Sequence, residues 1–404
     1  MKNRIHQKLL KDCEALVEWY SQKIDNSYQP FYASFDIRDA GFKIGNIDGN
    51  IFPAGFNNIC QVDKDNAPDL AKSFLSKKFP TAKKILILAE DHLKNMYYWE
   101  NVISISEMLT DAGYEVAPGM LSDEIGEEVE MTSFSGKTIK VEKIRSEAGK
   151  LMTKSFSPDI VVVNNDFSNA YENIDFSKSI MTPARELGWY QRKKHCYFHY
   201  YNKLITEFAE IIDEDPWLFN VETKLFNKFD ITDDKSRSDL AEQVEQLIGS
   251  TKEKYKEHGI TEDPYVFIKN NAGTYGLGVV EASSGEDILK WNYKSKKKMK
   301  ASKGGGGIQE VIIQEGIPSI LTQDDATAEP VLYMVGDELV GGFLRTHEKK
   351  DSHQSLNSPG AVYKKLCLSD LKVRAEGCVL ENVYGWVAKI GLLAITEEAR
   401  ALKL

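Results

Sequence analysis

Residues 265–280 read YVFIKNNAGTYGLGVV. The apolar run from Tyr265 to Ile268 predicts a strand that delivers Lys269 at its end, and a second strand begins at Val279. Gly273, Thr274, Tyr275, Gly276 and Gly278 make the connection small and permissive, so backbone N–H groups can come close to an anion. An ammonium beside such a loop can hold a triphosphate. Taken alone, the segment is more often only a glycine-rich hairpin.

Its neighbours add weight. VIIQEGIPSI, residues 311–320, is a strand that ends in Gln314 and Glu315 and turns at Gly316, exposing backbone groups as far as Ile317 that can pair with an adenine edge. Upstream, ETKLF places Lys224 just before a charged helix over 235–258. Downstream, PVLYMVGDELVGGFLR predicts a hairpin ending in Arg345. The order is lysine, lysine with glycine loop, hinge strand, hairpin with arginine.

This order resembles the ATP-grasp superfamily, and glutathione synthetase in particular. The resemblance implies two α+β lobes that clamp ATP, with Lys224 and Lys269 at phosphate or adenine and Gly273–Gly278 closed over the phosphates. It implies that Gln314, Glu315 and Ile317 read the adenine, and that Arg345 supports the γ-phosphate and an acyl intermediate. Ala328-Glu329-Pro330 departs from the pattern, because glutathione synthetase-like enzymes carry a basic residue there.

A second departure is larger. The superfamily ends with one strand bearing Asp and another bearing Glu-x-Asn, which hold magnesium. After Arg345 no such pair follows, and residues 371–404 predict helix. The pattern stands near the N-terminus instead. SFDIRDAGFKIGNIDGNIFPAG carries Asp36, then Asp48-Gly49-Asn50, then a Pro–Gly turn. We therefore expect a circularly permuted core whose metal-binding strands come first and whose termini lie close together. Asp36, Asp48 and Asn50 offer the oxygen ligands that Mg²⁺ prefers. The plainer alternative is a surface hairpin with Asp and Asn as turn formers. In a metal cluster, replacing Asp48 would relieve like-charge repulsion. Glu329 is the reserve metal candidate.

The stretch YASFDIRDAGFKIGNIDGNIFPAGFNN, with NNDFS at 164–168, GWYQRKKH at 188–195 and the Lys269 loop, is similar to the proteobacterial-type glutamate–cysteine ligase family from about residue 28 to the end. That resemblance implies ATP-dependent joining of glutamate, through its γ-carboxylate, to the amine of cysteine, the first step of glutathione biosynthesis. With it, Arg38, Asn57 and Asn58 become candidates for the substrate carboxylates and Asp166 for the ammonium. Arg192, Lys193 and Lys194 form a basic cluster or a solvated helix face. Rival readings are an ATP-grasp ligase for other amino acids and a non-catalytic nucleotide-binding regulator.

The rest of the chain sets the frame. A strand at 84–89, a helix over 94–112 stopped by Gly113, and strands at 114–116 and 159–163 predict a doubly wound α/β layer. The expected class is thus α/β with α+β. The expected divisions are 1–60 (a single helix over 1–24, then the metal- and substrate-binding strands around Asp36 and Asp48), 61–200 (substrate domain) and 201–404 (nucleotide-binding lobes). Further expected helices span 183–212 and 235–258. The net charge of −10 argues against nucleic acid or an anionic membrane as partner, and the basic run at 294–307 reads as a flexible loop. His195 and His199 share helical spacing but lack the acid of a zinc-protease motif. Five cysteines without C-x-x-C spacing suggest a reduced, cytoplasmic chain.

Overall fold

A computed structural model of the chain describes residues 1–25, 27–273, 278–292, 297, 299 and 308–404. The basic run at 294–307 falls almost wholly outside the described residues, as do Thr274, Tyr275 and Gly276. The N-terminal segment is two helices, α1 (Lys2–Lys11) and α2 (Cys13–Ile24), and not one. The break at Asp12 lets two apolar stripes face different neighbours. Ile5 and Leu9 are buried from the first helix and Leu16, Tyr20 and Ile24 from the second, while Val17 stays 47 % exposed.

Strands β1 (Tyr32–Asp39) and β2 (Ile44–Asn50) form the expected hairpin. Gly41 supplies the left-handed turn at φ 79°, and its N–H donates to Asp39 Oδ1 at 2.8 Å. Next come α3 (Gln61–Lys78), β3 (Lys84–Ala89), α4 (Met96–Asp111), β4 (Glu115–Met120), β5 (Glu128–Thr132), β6 (Thr138–Lys143), the small hairpin β7 (Arg145–Glu147) and β8 (Lys150–Met152), β9 (Ile160–Asn164) and β10 (Met181–Thr182). Their main sheet has the order β10-β9-β3-β4-β6-β5, parallel except for β5. It winds outward from β3 in both directions, which is the doubly wound pattern. Ile85 and Ile87 face one apolar cluster with α3 and α4, and Leu86 and Leu88 face another.

The helix expected over 183–212 begins only at Lys194, as α5 (Lys194–Ile211). Before it, Trp189 N–H donates to Asp166 O and Tyr190 N–H to Phe167 O, so these backbone groups serve tertiary contacts in place of a helix. β11 (Thr223–Phe226), α6 (Asp234–Glu257), β12 (Val266–Asn270), β13 (Val279–Ala282), α7 (Gly285–Leu289) and β14 (Val311–Glu315) follow. Their strands make an antiparallel sheet in the order β11-β14-β12-β13, with Leu240, Val244 and Leu247 of α6 packed in its core.

The last segment holds β15 (Thr322–Gln323), β16 (Ala326–Val335), β17 (Glu338–His347), β18 (Val362–Leu366), β19 (Lys372–Ala375), β20 (Cys378–Glu381) and α8 (Val383–Ala401). Residues 372–381 are therefore a hairpin turning at Gly377, φ 78°, where helix was expected. The central sheet runs β18-β17-β16-β1-β2, so the first two strands of the chain complete a sheet begun by its last strands. α8 lies on β1 and β2, where Gly391 leaves room for the Phe35 ring. The two ends meet at a disulfide between Cys13 and Cys378. That bond overturns the expectation of a wholly reduced chain. Its partners stand 365 residues apart, and only the fold pairs them.

Candidate active site

Asp36 and Asp48 are direct cross-strand partners on β1 and β2, and a register shift follows at Ile37. Gly49, between Asp48 and Asn50, is not a turn residue. A side chain there would strike the Tyr197 ring of α5, so the glycine lets the helix seat against the strand. That seating carries Lys194, at the start of α5, to the Asp48 carboxylate. From the other side β12 brings Lys269, whose ammonium donates to Gln314 Oε1 at 2.5 Å and to the Ile47 carbonyl at 3.2 Å.

These groups line one cleft of about 60 Å³ that includes Asp36, Arg38, Asp48, Lys194, Lys269 and Glu329. Its floor is a buried four-charge network. Arg345 donates to Asp36 and to Glu329, each at 2.7 Å, and Arg38 donates to Glu329 at 2.5 Å. All four residues are at most 8 % exposed. Among the described residues, Asp36 Oδ1 and Arg345 Nε have no hydrogen-bond partner.

The electrostatics differ from atom to atom. Burial pushes the Asp36 carboxyl up against the pull of Arg345, with Glu329 and Asp48 adding to the rise. Burial also opposes charge on Asp48, but Lys194 and Lys269 hold it below the usual carboxylate range. Burial lowers Lys269 to about 8, with Lys194 and Arg38 helping and Asp48 and Asp36 resisting.

The remaining sequence candidates are distributed as follows. Gly273 lines the cleft, and Gly278, φ 64°, accepts the Asn270 N–H at the stem of the loop. Gln314 is fully buried and joins Lys269 to Thr223. Glu315 is held by Lys43, at 2.8 Å, and its N–H donates to Glu222 O at 2.8 Å. Ile317 is core, and Lys224 sits on β11 opposite Ile313. Asn50 pairs with Ser34, two residues along from the Asp pair. Asn57 and Asn58 lie in a short turn before α3 and bond each other. Asp166 accepts the Ser168 N–H. None of the last four is among the residues lining the cleft. Glu329, the reserve metal candidate, is held by two arginines.

Sequence reading missed Lys194, because a run of three basic residues looks like a solvated face. Lys194 and Arg192 are instead 7 % and 5 % exposed. Trp189 was the available signal. Both cations lie over its ring, within 5 Å of its centre. His195 does not face His199 as a metal pair would; it bonds Asn271, which follows β12. Asn271 also accepts the Lys194 N–H through its carbonyl, tying the lysine loop to α5.

The cation-rich surroundings of Asp48 reverse one expectation. Asp48→Asn removes the partner of two lysines, a larger loss than the relief of its repulsion with Asp36. The variant should need more Mg²⁺, turn over more slowly and lose about 1–3 kcal/mol of stability. Metal titration and thermal melting check this, and an unchanged melting temperature would contradict it.

The Glutamate-cysteine ligase family profile matches residues 6–399. The chain belongs to that family. A protein from Methylobacillus flagellatus KT, provisionally assigned as a gamma-glutamylcysteine synthetase, superposes with a TM-score of 0.90 at 31 % identity, covering 98 % of this chain and 96 % of that one. Two other structures overlap at 12 % identity. D-alanyl-alanine synthetase A from Vibrio cholerae O1 biovar eltor gives a TM-score of 0.34 over 79 % of this chain and 81 % of its own. A glutathione synthetase-like effector from Globodera pallida gives 0.38 over 89 % and 82 %. No curated protein sequence matches the chain. The mixed α/β and α+β class is as expected. As a member of the glutamate–cysteine ligase family, the chain is an ATP-dependent ligase acting on small molecules, and the family's reaction uses ATP with a divalent metal. Among the described residues no helix is long and apolar enough to cross a membrane.

Proposed function

We propose that this ligase joins the γ-carboxylate of glutamate to the amine of cysteine in the cleft between β1–β2, β12 and the start of α5. The observation that carries this reading is the meeting of Asp36, Asp48, Lys194 and Lys269, drawn from three separate parts of the chain, in one cleft. Two carboxylates beside two lysines suit a metal–triphosphate. A core permuted relative to the ATP-grasp order accounts for the N-terminal origin of the carboxylates.

The donor set fits Mg²⁺. Asp36 Oδ1 is buried without a partner, and Asp48 stands opposite it. Asp36 and Asp48 would hold the ion, which when bound offsets phosphate charge and favours attack at the γ-phosphorus. Lys269 and Lys194 bind phosphate oxygens, and Arg345 orients Asp36. A glutamate γ-carboxylate oxygen takes the γ-phosphoryl group and ADP leaves. The cysteine amine then attacks the acyl carbon, the carbon–oxygen bond breaks and phosphate leaves. No enzyme nucleophile is needed, so the residues work by placement and charge. Arg38, expected at a substrate carboxylate, instead gives its guanidinium to Glu329, Ser352 O and Gln354 O and would have to release the last two to bind one. The cleft is far smaller than the roughly 300–1,000 Å³ of ligand pockets, so its walls must part to admit ATP. The need for ATP and a free amino thiol supports a cytoplasmic setting, to which the Cys13–Cys378 disulfide is an exception.

ADP release measured across pairs of amino acids tests the assignment. Release should require glutamate and cysteine together. Release with a different pair would favour a ligase of other specificity, and nucleotide binding without release would favour a regulator.

Lys269 also sets a pH dependence. Its ammonium is charged below about pH 8 and neutral above it. A triphosphate needs the charged form, so kcat/KM for ATP should fall up to tenfold per pH unit on the alkaline side. Lys269→Arg should abolish that limb, because a guanidinium stays charged. A wild-type profile flat to about pH 9.5 would contradict the lowered pKa of Lys269.

A further inference from the structure

Where α3 packs against β17 lies a second cluster, none of whose members lines the cleft. Cys60 caps the start of α3, Asp63 is in that helix's first turn, and Cys367 precedes the short turn 368–371. One donor atom from each of the three lies within 4.8 Å of the other two. The two sulfurs are 2.7 Å apart. Cys60 is 6 % and Asp63 5 % exposed, while Cys367 is partly open and leaves a route in from solvent.

We propose that Cys60, Asp63 and Cys367 bind a divalent, thiophilic metal ion of the zinc class. This site would be separate from the magnesium of the reaction, since thiolates select zinc-like ions and carboxylates with phosphates select magnesium.

Three features argue that the cluster is built. Asp63 accepts the Leu368 N–H at 2.8 Å, which fixes its carboxylate between the two cysteine-bearing segments. Gly341 of β17 makes room for it, because a side chain there would come within 2.8 Å of Asp63 Oδ2. Cys60 occupies the N-cap position of α3, so one helix end fixes its backbone beside Asp63. The nearby ionisable group is another acid, Asp370, whose carboxylate accepts the Cys367 N–H. No ion pair to Asp63 or Asp370 occurs among the described residues. Two thiolates and a carboxylate sum to three negative charges, and a dication reduces that to one while releasing the two thiol protons. Water can fill a fourth position of a tetrahedral shell.

At 2.7 Å the sulfurs are too far apart for a disulfide, which needs about 2.05 Å, and too close for a metal shell. Metal–sulfur bonds of about 2.3 Å in a tetrahedron need them about 3.8 Å apart, an opening of about 1 Å that small side-chain rotations supply, so spacing alone does not choose between the two fates. The carboxylate aimed at the pair has a role in a metal shell and none in a disulfide.

The test uses the full chain, purified under reducing, oxygen-free conditions and stripped with a chelator. Zinc is then added, the protein desalted and the metal counted; cobalt replaces zinc in a parallel sample. A single retained equivalent and a sulfur-to-cobalt charge-transfer absorption are expected. Cys60→Ser, Cys367→Ser and the near-isosteric Asp63→Asn should each weaken zinc binding at least on the order of 100-fold, with thermal melts verifying folding. The Cys13→Ser, Cys378→Ser double variant should retain the metal, which removes the other dithiol as its source. Absence of retained metal, retention undiminished in all three variants, or recovery of a Cys60–Cys367 disulfide from protein kept from air would each overturn the proposal.

Discussion

Lys269→Ala is expected to lower kcat by roughly 10²–10³-fold, the usual cost of losing one positioned charge in a transition state. The fold should survive. The ammonium is a poorly solvated cation whose burial already depresses its pKa to about 8, and Asp48 keeps Lys194 as a partner after its removal. Steady-state kinetics with a circular dichroism melt separate the two effects. An alanine variant with near-normal kcat would remove Lys269 from the chemistry, and with it the proposed phosphate site.

Arg345→Ala is expected to have the largest effect on stability. Arg345 lies between Asp36 and Glu329 on adjacent strands of the central sheet, and both carboxylates are nearly inaccessible. Removing the guanidinium leaves Asp36 without its ion-pair partner and Glu329 with Arg38 alone. Breaking a buried pair in this way costs about 3–5 kcal/mol. The sign with pH is definite. Asp36 already stands above its unfolded value and rises further without Arg345, so its protonation favours the folded variant, while Glu329 keeps Arg38 and is lowered less than before. The defect should shrink as pH falls towards 5 and be fully expressed near neutrality. Denaturant melts at both pH values measure it. A defect independent of pH would mean that lost packing, and not uncompensated charge, is the cause.

Some of this site was legible in one dimension. Lys269 announced itself by the strand before it and the glycines after it, and Asp36 and Asp48 by their two-strand spacing. Each signal is local, as the chemistry is. Lys194 was not legible, because a basic run at a helix start gives no sign of which face is covered. Its burial depends on Gly49, some 145 residues earlier, admitting Tyr197. The Arg38–Glu329 pair spans 291 residues and no periodicity reports it. The C-terminal hairpin is a different kind of miss. Glu376-Gly377 is a readable turn signal, and the apolar positions of the following helix drew attention from it. In the nucleotide-binding region, strands β12 and β14 fell within a residue of their expected ends, because short apolar runs bounded by glycine leave little freedom.

The bond between Cys13 and Cys378 gives the molecule a different topology from that of its written sequence. Covalently it is a ring with two short tails, and a ring has no first strand. A single protease nick between those cysteines would leave one connected particle, which only a reductant could divide. The point at which such a ring is opened is chemically arbitrary so long as the cut falls in an exposed loop. New ends placed elsewhere on its circumference, with the present ones sealed, should trace the same three-dimensional path.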